Sequence, residues 1–190
     1  MINWEELKHI HVIRKFEEIL AQWFNTDIFF VDERGIIRNY DPAEKHKEFK
    51  NPYSTAFIGQ EKSRGILFRA LADANEKARQ KDSSHLVVPG PAGVENFLVS
   101  RISSDNEFLG TVIAYSFIEK ETTQSTTNRS KNTIEHHGLD WHPFEAAANR
   151  LRALSEPQLK YFHELVDLVA QEIVTFHTEI TKREERIRPH

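Results

Sequence analysis

Chemistry in this chain has to come from carboxylates, imidazoles and hydroxyls, because it contains no cysteine to serve as thiolate ligand, nucleophile or disulfide partner. The densest grouping of such residues is His136, His137, Asp140 and His142. Imidazole and carboxylate suit zinc or nickel. The spacing meets no zinc rule, however, and a further ligand would have to come from elsewhere in the chain, so these four read as loop and cap residues and no metal is expected. There is no Gly-x-Ser-x-Gly elbow, no His-Glu-x-x-His pair and no Gly-rich phosphate loop. Gly90-Pro91-Ala92-Gly93 lacks the lysine and the helix start of a phosphate cradle. The chain is therefore not expected to be an enzyme or to need a cofactor. A different kind of chemistry is written at Glu95: counting by two along an extended segment places Glu95, Phe97, Val99 and Arg101 on one face, and Asn96, Leu98 and Ser100 on the other. Two apolar side chains flanked by opposite charges suit a small polar or amphipathic ligand.

The elements that would position these residues follow from periodicity. Asn3 with Glu6 three residues on is a capping-box pattern, and Trp4, Leu7, Ile10, Phe16, Ile19, Leu20 and Trp23 mark one amphipathic helix running to about Asn25. Asp27 to Asp32 reads as a buried strand, turning at Glu33-Arg34-Gly35 into a second strand, Ile36 to Tyr40. Between Pro42 and Pro52 the pattern defines no element; a helix is then expected from about Glu61 to Lys81. Ser84 to Pro89, Val94 to Ser103 and Phe108 to Ile118 read as three further strands, making five in a two-plus-three grouping around a helical insert. Residues 119–135 are rich in Thr, Ser, Asn and Gln without a hydrophobic period and read as a mobile polar loop. A short helix from Phe144 to Leu154, with Pro143 in its first turn, precedes the last element.

That last element begins near Ser155 and Pro157. Leu159, Phe162, Val166, Val169, Ile173, Phe176 and Ile180 recur at spacings of three and four, as in the a/d seam of a coiled coil. The stripe predicts a long helix that pairs with its twin in a parallel homodimer, with Val166, Val169, Ile173, Phe176 and Ile180 as the interface. Residues 1–154 are thus read as one domain and 155–190 as a signalling and dimerisation helix. The net charge of −4, from 29 acidic and 25 basic residues with no basic block, offers no footprint for nucleic acid. No apolar run reaches membrane-spanning length, and residues 1–25 carry no secretory apolar core. A cytoplasmic protein is expected.

Hairpin, helical insert, three-strand return and C-terminal helix together resemble the PAS-like and GAF-like sensors. More narrowly, Pro91-Ala-Gly-Val-Glu-Asn-Phe-Leu-Val99, then Asn106-Glu-Phe-Leu-Gly-Thr-Val-Ile-Ala-Tyr-Ser116, and His137-Gly-Leu-Asp-Trp-His-Pro143 followed by Glu145-Ala-Ala-Ala-Asn-Arg-Leu-Arg, are similar to the PocR-type ligand-sensing domain of bacterial regulators. The resemblance covers about residues 7–178. Many members of that family carry cysteines where this chain has Pro91 and a residue near Gly65, so no role tied to those thiols is implied. The resemblance implies a PAS-like five-stranded antiparallel sheet, with a pocket between the sheet and the insert. Tyr53, Phe57, Arg64 and Phe68 from the insert, His85, Glu95 and Phe97 from the returning strands, and Tyr115 from the last strand are its candidate ligand-binding residues. The implied function is a cytoplasmic small-molecule sensor of a signalling or transcription regulator, passing ligand state through a dimeric helix to an output domain or partner protein. The alternative is a dimeric interaction scaffold with the same fold and no ligand, its pocket filled by Phe57, Phe68 and Phe97.

Overall fold

The computed structural model describes residues 1–41, 43, 48–81, 83–118 and 123–187. Pro42 and residues 119–122 of the expected loop fall outside the described residues. The elements are α1 (Trp4–Leu7), α2 (His11–Phe24), β1 (Asp27–Asp32), α3 (Pro52–Ile58), α4 (Glu61–Gln80), β2 (His85–Pro89), β3 (Asn96–Ser104), β4 (Glu107–Ser116), α5 (Thr123–His136), α6 (His142–Ala148) and α7 (Glu156–Ile187). The class is α+β, with an antiparallel sheet in the order β1-β4-β3-β2 and a long C-terminal helix.

Helices cover both faces of the sheet, which explains why its central strands read as apolar at nearly every position. From β1, β3 and β4, Phe29, Val31, Phe97, Val99, Ile113 and Tyr115 face one core together with Tyr53, Phe57, Leu67, Leu71 and Phe144. Ile28, Phe30, Leu98, Ile102, Val112 and Ala114 face the other, with Trp4, Leu20, Phe162, Val166 and Ile173. One face thus carries α3, α4 and α6, and the opposite face α1, α2 and α7. The alternation places Phe97 and Val99 opposite Leu98, as the count by two predicts.

Four differences from the sequence reading have identifiable causes. The first helix is two: α1 is capped by Asn3, whose side chain accepts from Glu6 N at 3.2 Å, and α2 starts afresh at His11 before ending at Asn25 in the left-handed region. The strand expected at Ile36 to Tyr40 reduces to a single bridge between Val31 and Ile37. Asn39 is the reason, because its side chain takes the place of a neighbouring backbone: Oδ1 accepts from Phe30 N at 3.0 Å and Nδ2 donates to Ile28 O at 2.8 Å. The sheet therefore has four strands. Third, residues from Thr123 onward, expected to be loop, form α5. Its buried positions, Thr126, Ser130 and Ile134, recur every four residues, but two of the three are small and polar, so no hydrophobic period marks it.

The fourth difference concerns the stripe on α7. Phe162, Val166, Val169 and Ile173 are fully buried within the single chain, against β3, β4 and α2. The Phe24 and Phe162 rings sit 5.1 Å apart across that contact. A three-four spacing serves a helix packed on a sheet as well as one packed on a twin. The proposed interface residues Val166, Val169 and Ile173 thus belong to the chain's own core, while Phe176 is partly buried against it and Ile180 is 9% exposed. The start of α7 is fixed by a capping box: Ser155 Oγ accepts from Gln158 N at 3.3 Å and Gln158 Oε1 accepts from Ser155 N at 3.0 Å. Among the described residues no helix is long and apolar enough to cross a membrane.

Candidate functional site: a buried carboxylate beneath a polar helix

Strand β3 is entered through the small-residue break at 90–93, and the break exists to fold back over Glu95. Gly90 N donates to Glu95 O at 2.8 Å and Gly93 N to Gly90 O at 3.2 Å, closing the turn. The Glu95 side chain lies back under it and accepts from Ala92 N at 2.9 Å and from Val94 N at 3.2 Å. A Cβ at Gly90 would come within 2.5 Å of the Glu95 side chain, and one at Gly93, where φ is +81°, within 2.6 Å of Thr133 Oγ1. Both positions therefore demand glycine for reasons of space. Helix α5 closes the turn from outside: Arg129 Nε donates to Gly93 O at 3.1 Å, and His137 Nε2 lies 2.8 Å from Pro91 O just past the helix end.

Glu95 is 1% exposed, and the remaining contact of its carboxylate is a hydrogen bond donated by the Tyr115 hydroxyl of β4. Tyr53, on α3, lies within electrostatic reach of both. Its hydroxyl pairs with Ser130 Oγ of α5 at 2.5 Å. Burial pushes the Glu95 carboxyl above its usual range, against the opposing hydrogen bonds from Tyr115 and the turn. Burial likewise raises both tyrosines, with the Glu95 carboxylate adding to the effect. The neutral form of the acid is what this environment favours. Around the network the aromatic rings are close-packed: Phe97 to Tyr115 at 5.2 Å, Tyr53 to Phe144 at 5.8 Å, Phe57 to Phe144 at 4.8 Å and Trp141 to Phe144 at 6.5 Å. Asn51 ties the start of α3 to the sheet, its Nδ2 donating to Tyr115 O at 2.9 Å and its Oδ1 accepting from Tyr53 N at 2.9 Å.

Of the eight candidate ligand residues, then, Tyr53, Phe57, Glu95, Phe97 and Tyr115 meet in one buried layer. The other three do not. Phe68 packs edge-on against Tyr40, 5.7 Å away and partly exposed. Arg64 turns back along the insert to donate to Ile58 O at 3.2 Å. His85 is exposed and belongs to a second polar cluster beside α7, where its Nδ1 lies 3.8 Å from Asp167 Oδ2 and its ring 5.4 Å from that of His163. There Ser100 Oγ donates to Asp167 Oδ1 at 2.6 Å, joining the middle of β3 to the helix. Burial lowers the His163 imidazole, His85 adds to the lowering, and Asp167 opposes it.

Ser130, Phe144 and Asn51 complete the Glu95 layer and were not singled out from the sequence. Two more hydroxyls belong to its helices: Ser54 Oγ on α3 and Thr126 Oγ1 on α5 are buried and, among the described residues, have no hydrogen-bond partner. Grooves are formed elsewhere, one of about 510 Å³ bordered by Arg101, Ser103, Asp167 and Gln171, another of about 410 Å³ between α2 and Lys50. Glu95 lines neither. The residues weighed as metal ligands have separate duties: His137 binds the turn, Asp140 Oδ1 accepts from His142 N at 3.1 Å, and His142 Nδ1 lies 3.9 Å from Glu145. Among the described residues no three His, Asp or Glu converge on a metal position.

No family model, curated protein or solved structure matches the chain.

Proposed function

We propose that the chain is a PocR-type, PAS-like sensor domain of a bacterial signalling or transcription regulator, working in the cytoplasm as a homodimer. The carrying observation is that an ionisable group with a hydroxyl network lies inside the core on one face of a sheet whose other face holds a 32-residue helix. The Glu95 carboxyl has a duty in the turn, accepting from Ala92 N and Val94 N, but the Tyr115 hydroxyl on the same carboxyl and the Tyr53–Ser130 pair beside it go beyond what closing that turn requires. The order β1-β4-β3-β2, with the first strand paired to the last, fits a PAS-like sheet that lacks one strand.

The same strands serve both faces. Glu95, Phe97 and Tyr115 look toward the site while Leu98, Ser100 and Ala114 look toward α7, so a ligand that moves Glu95 or Tyr115 repositions the surface on which α7 rests. Ligand acts by preferring one of two packings of that helix, to the extent that it binds them unequally. With Val166, Val169 and Ile173 committed to the domain core, pairing with a twin falls to Phe176 and Ile180, together with exposed side chains that include Tyr161, Leu168 and Ile187. The output is a further domain or a partner protein that reads the end of α7.

The test is thermal-shift screening of the purified chain against short diols, polyols, organic acids and amines. A stabilising hit that is lost in Glu95→Gln supports the sensor; binding of N but not U raises stability by about 2.7 kcal/mol at a hundredfold excess over Kd. The second reading, a dimeric scaffold without ligand, draws on the full burial of Tyr53, Phe57, Phe97 and Tyr115. Silence across the whole panel, with a dimer by light scattering, selects it.

A further inference from the structure

We infer, independently of the sensor reading, that the open edge of the sheet, β2, is an interface for a second copy of this chain, the two β2 strands pairing antiparallel about a two-fold axis at Val87. Three observations carry this. First, the chain covers one edge of its sheet and leaves the other bare. Along β1, Phe30 N donates to Asn39 Oδ1 at 3.0 Å and Asp32 N to Ile36 O at 2.9 Å, while Ile28 O accepts from Asn39 Nδ2 at 2.8 Å and Phe30 O from Arg38 N at 2.7 Å. Residues 36–39 thus take up the groups on which another strand would pair. Along β2, Gly90 N donates to Glu95 O and Arg101 N to Ser84 O, both at 2.8 Å, so Leu86 and Val88 bond toward β3 while His85, Val87 and Pro89 turn their backbone groups outward. Among the described residues the outward N–H and carbonyl of Val87 have no partner, and its side chain is 49% exposed.

Second, the outward groups are complementary to themselves. With Val87 facing the partner's Val87, the two residues exchange N–H to carbonyl bonds in both directions, and His85 N donates to the carbonyl of the partner's Pro89. Pro89 has no N–H to return, which would leave His85 O without a donor. That carbonyl is already supplied within its own chain, by Ser83 Oγ at 2.8 Å. The one bond that proline denies the pair is therefore the one that the pair does not need.

Third, the edge carries little to repel a copy. His85–Pro89 holds no lysine, arginine, aspartate or glutamate and no bulge, so shortness and Pro89 are its protection against unlimited pairing. A valine lies at the centre of the pair, where directly opposed apolar side chains on one face of a sheet favour association. Because β1 is covered, pairing through β2 leaves no second edge to propagate from, and association through the sheet closes at two copies. Five residues of strand bury far less than the ~1,600 Å² of a standard interface, so this contact should dissociate on dilution.

The experiment follows the native chain by sedimentation velocity over a concentration series, beside Val87→Pro, which removes the outward N–H without taking a bond from β3, and Val87→Lys, which places a charge at the centre of the pair. Leu168→Glu combined with Ile187→Glu is the control for pairing along α7. Since the chain contains no cysteine, Val87→Cys with a short bis-maleimide reports the contact directly: the two positions are about 5.5 Å apart between Cα atoms in such a pair. The expected result is association of the native chain on concentrating, weakened about tenfold or more in both Val87→Pro and Val87→Lys, with cross-linking at position 87 that persists in the α7 control. A native chain that stays monomeric at every concentration overturns the proposal and leaves the β2 edge to a strand from another protein. Association as strong in both variants as in the native chain, or an associating chain that does not cross-link at position 87, overturns it in favour of α7. Val87→Lys and the cross-link decide the matter if Val87→Pro does not fold, and none of these outcomes bears on the ligand screen that tests the sensor.

Discussion

The two faces of the sheet are built from the same strands to opposite specifications. Toward α1, α2 and α7 the core is apolar almost throughout, from Trp4 and Leu20 to Phe162 and Ile173, and its polar exception, Ser100 with Asp167, sits where the helix meets the middle of β3. Toward α3, α5 and α6 an acid, two tyrosines and several hydroxyls are folded into an aromatic layer. Equal depth does not mean equal composition: the first face is closed almost wholly by apolar contact, while the second combines an apolar core with the desolvation cost of a buried acid. Mutations should therefore separate the faces by the kind of effect as well as its size.

The largest effect is expected on the apolar face. Phe162 is fully buried between α2 and the sheet, in ring contact with Phe24, so Phe162→Ala should lower stability by about 3–5 kcal/mol. Urea unfolding followed by circular dichroism measures it. Because the loss comes from a cavity and not from a charge, it should be nearly independent of pH. A loss under about 1 kcal/mol would mean that α7 leaves the sheet easily, and would return its stripe to the role of a coiled-coil seam.

On the other face the signature is pH. Glu95 has its carboxyl raised in the folded chain, so the native state holds its proton more tightly than the unfolded state does. The contribution of this group is then fully present below the ordinary carboxyl range and is lost as pH rises through the raised value. Glu95→Gln keeps an acceptor for the N–H groups of Ala92 and Val94 and a donor for the Tyr115 oxygen, and it cannot ionise. The stability difference between variant and native chain should move in favour of the variant as pH rises from acid toward neutral. Parallel stability curves for the two proteins would show that Glu95 does not titrate differently in the two states, and the distinction between the faces would lose its electrostatic part.

How much of this contrast could be read in advance depends on the range of the interactions. The alternation through Glu95, Phe97 and Val99 is local, so a count by two suffices to group them, and the Tyr115 hydroxyl meets the Glu95 carboxyl on that side of the sheet. The partner of Tyr53 is Ser130, 77 residues away, on a helix whose buried residues Thr126 and Ser130 are too polar to raise a periodic signal. The missing fifth strand has a similar cause, since Asn39 replaces backbone by side chain, a substitution that strand patterns do not register. On α7 the early part of the stripe is buried by the chain's own sheet, and spacing alone does not distinguish that from burial by a twin, because it states that a stripe is buried and not what buries it.

The smallest effect is expected at the polar exception on the apolar face. His163 is half-buried beside His85 and Asp167, and burial first, then the neighbouring imidazole, lowers its affinity for a proton. A histidine lowered in the folded state contributes stability that is complete above its unfolded value, near 6.5, and is lost as pH falls below it. His163→Gln should therefore flatten stability between neutral and mildly acid pH, with little change above. Asp167 moderates the loss by attracting the charged form, so Asp167→Asn should steepen it, provided the Ser100 hydrogen bond survives on the amide oxygen. Nuclear magnetic resonance titration of the His163 ring checks the direction independently of stability. If the ring titrates at or above the ordinary histidine value, Asp167 outweighs burial, and acid would then tighten α7 against β3 where the present geometry has it loosen.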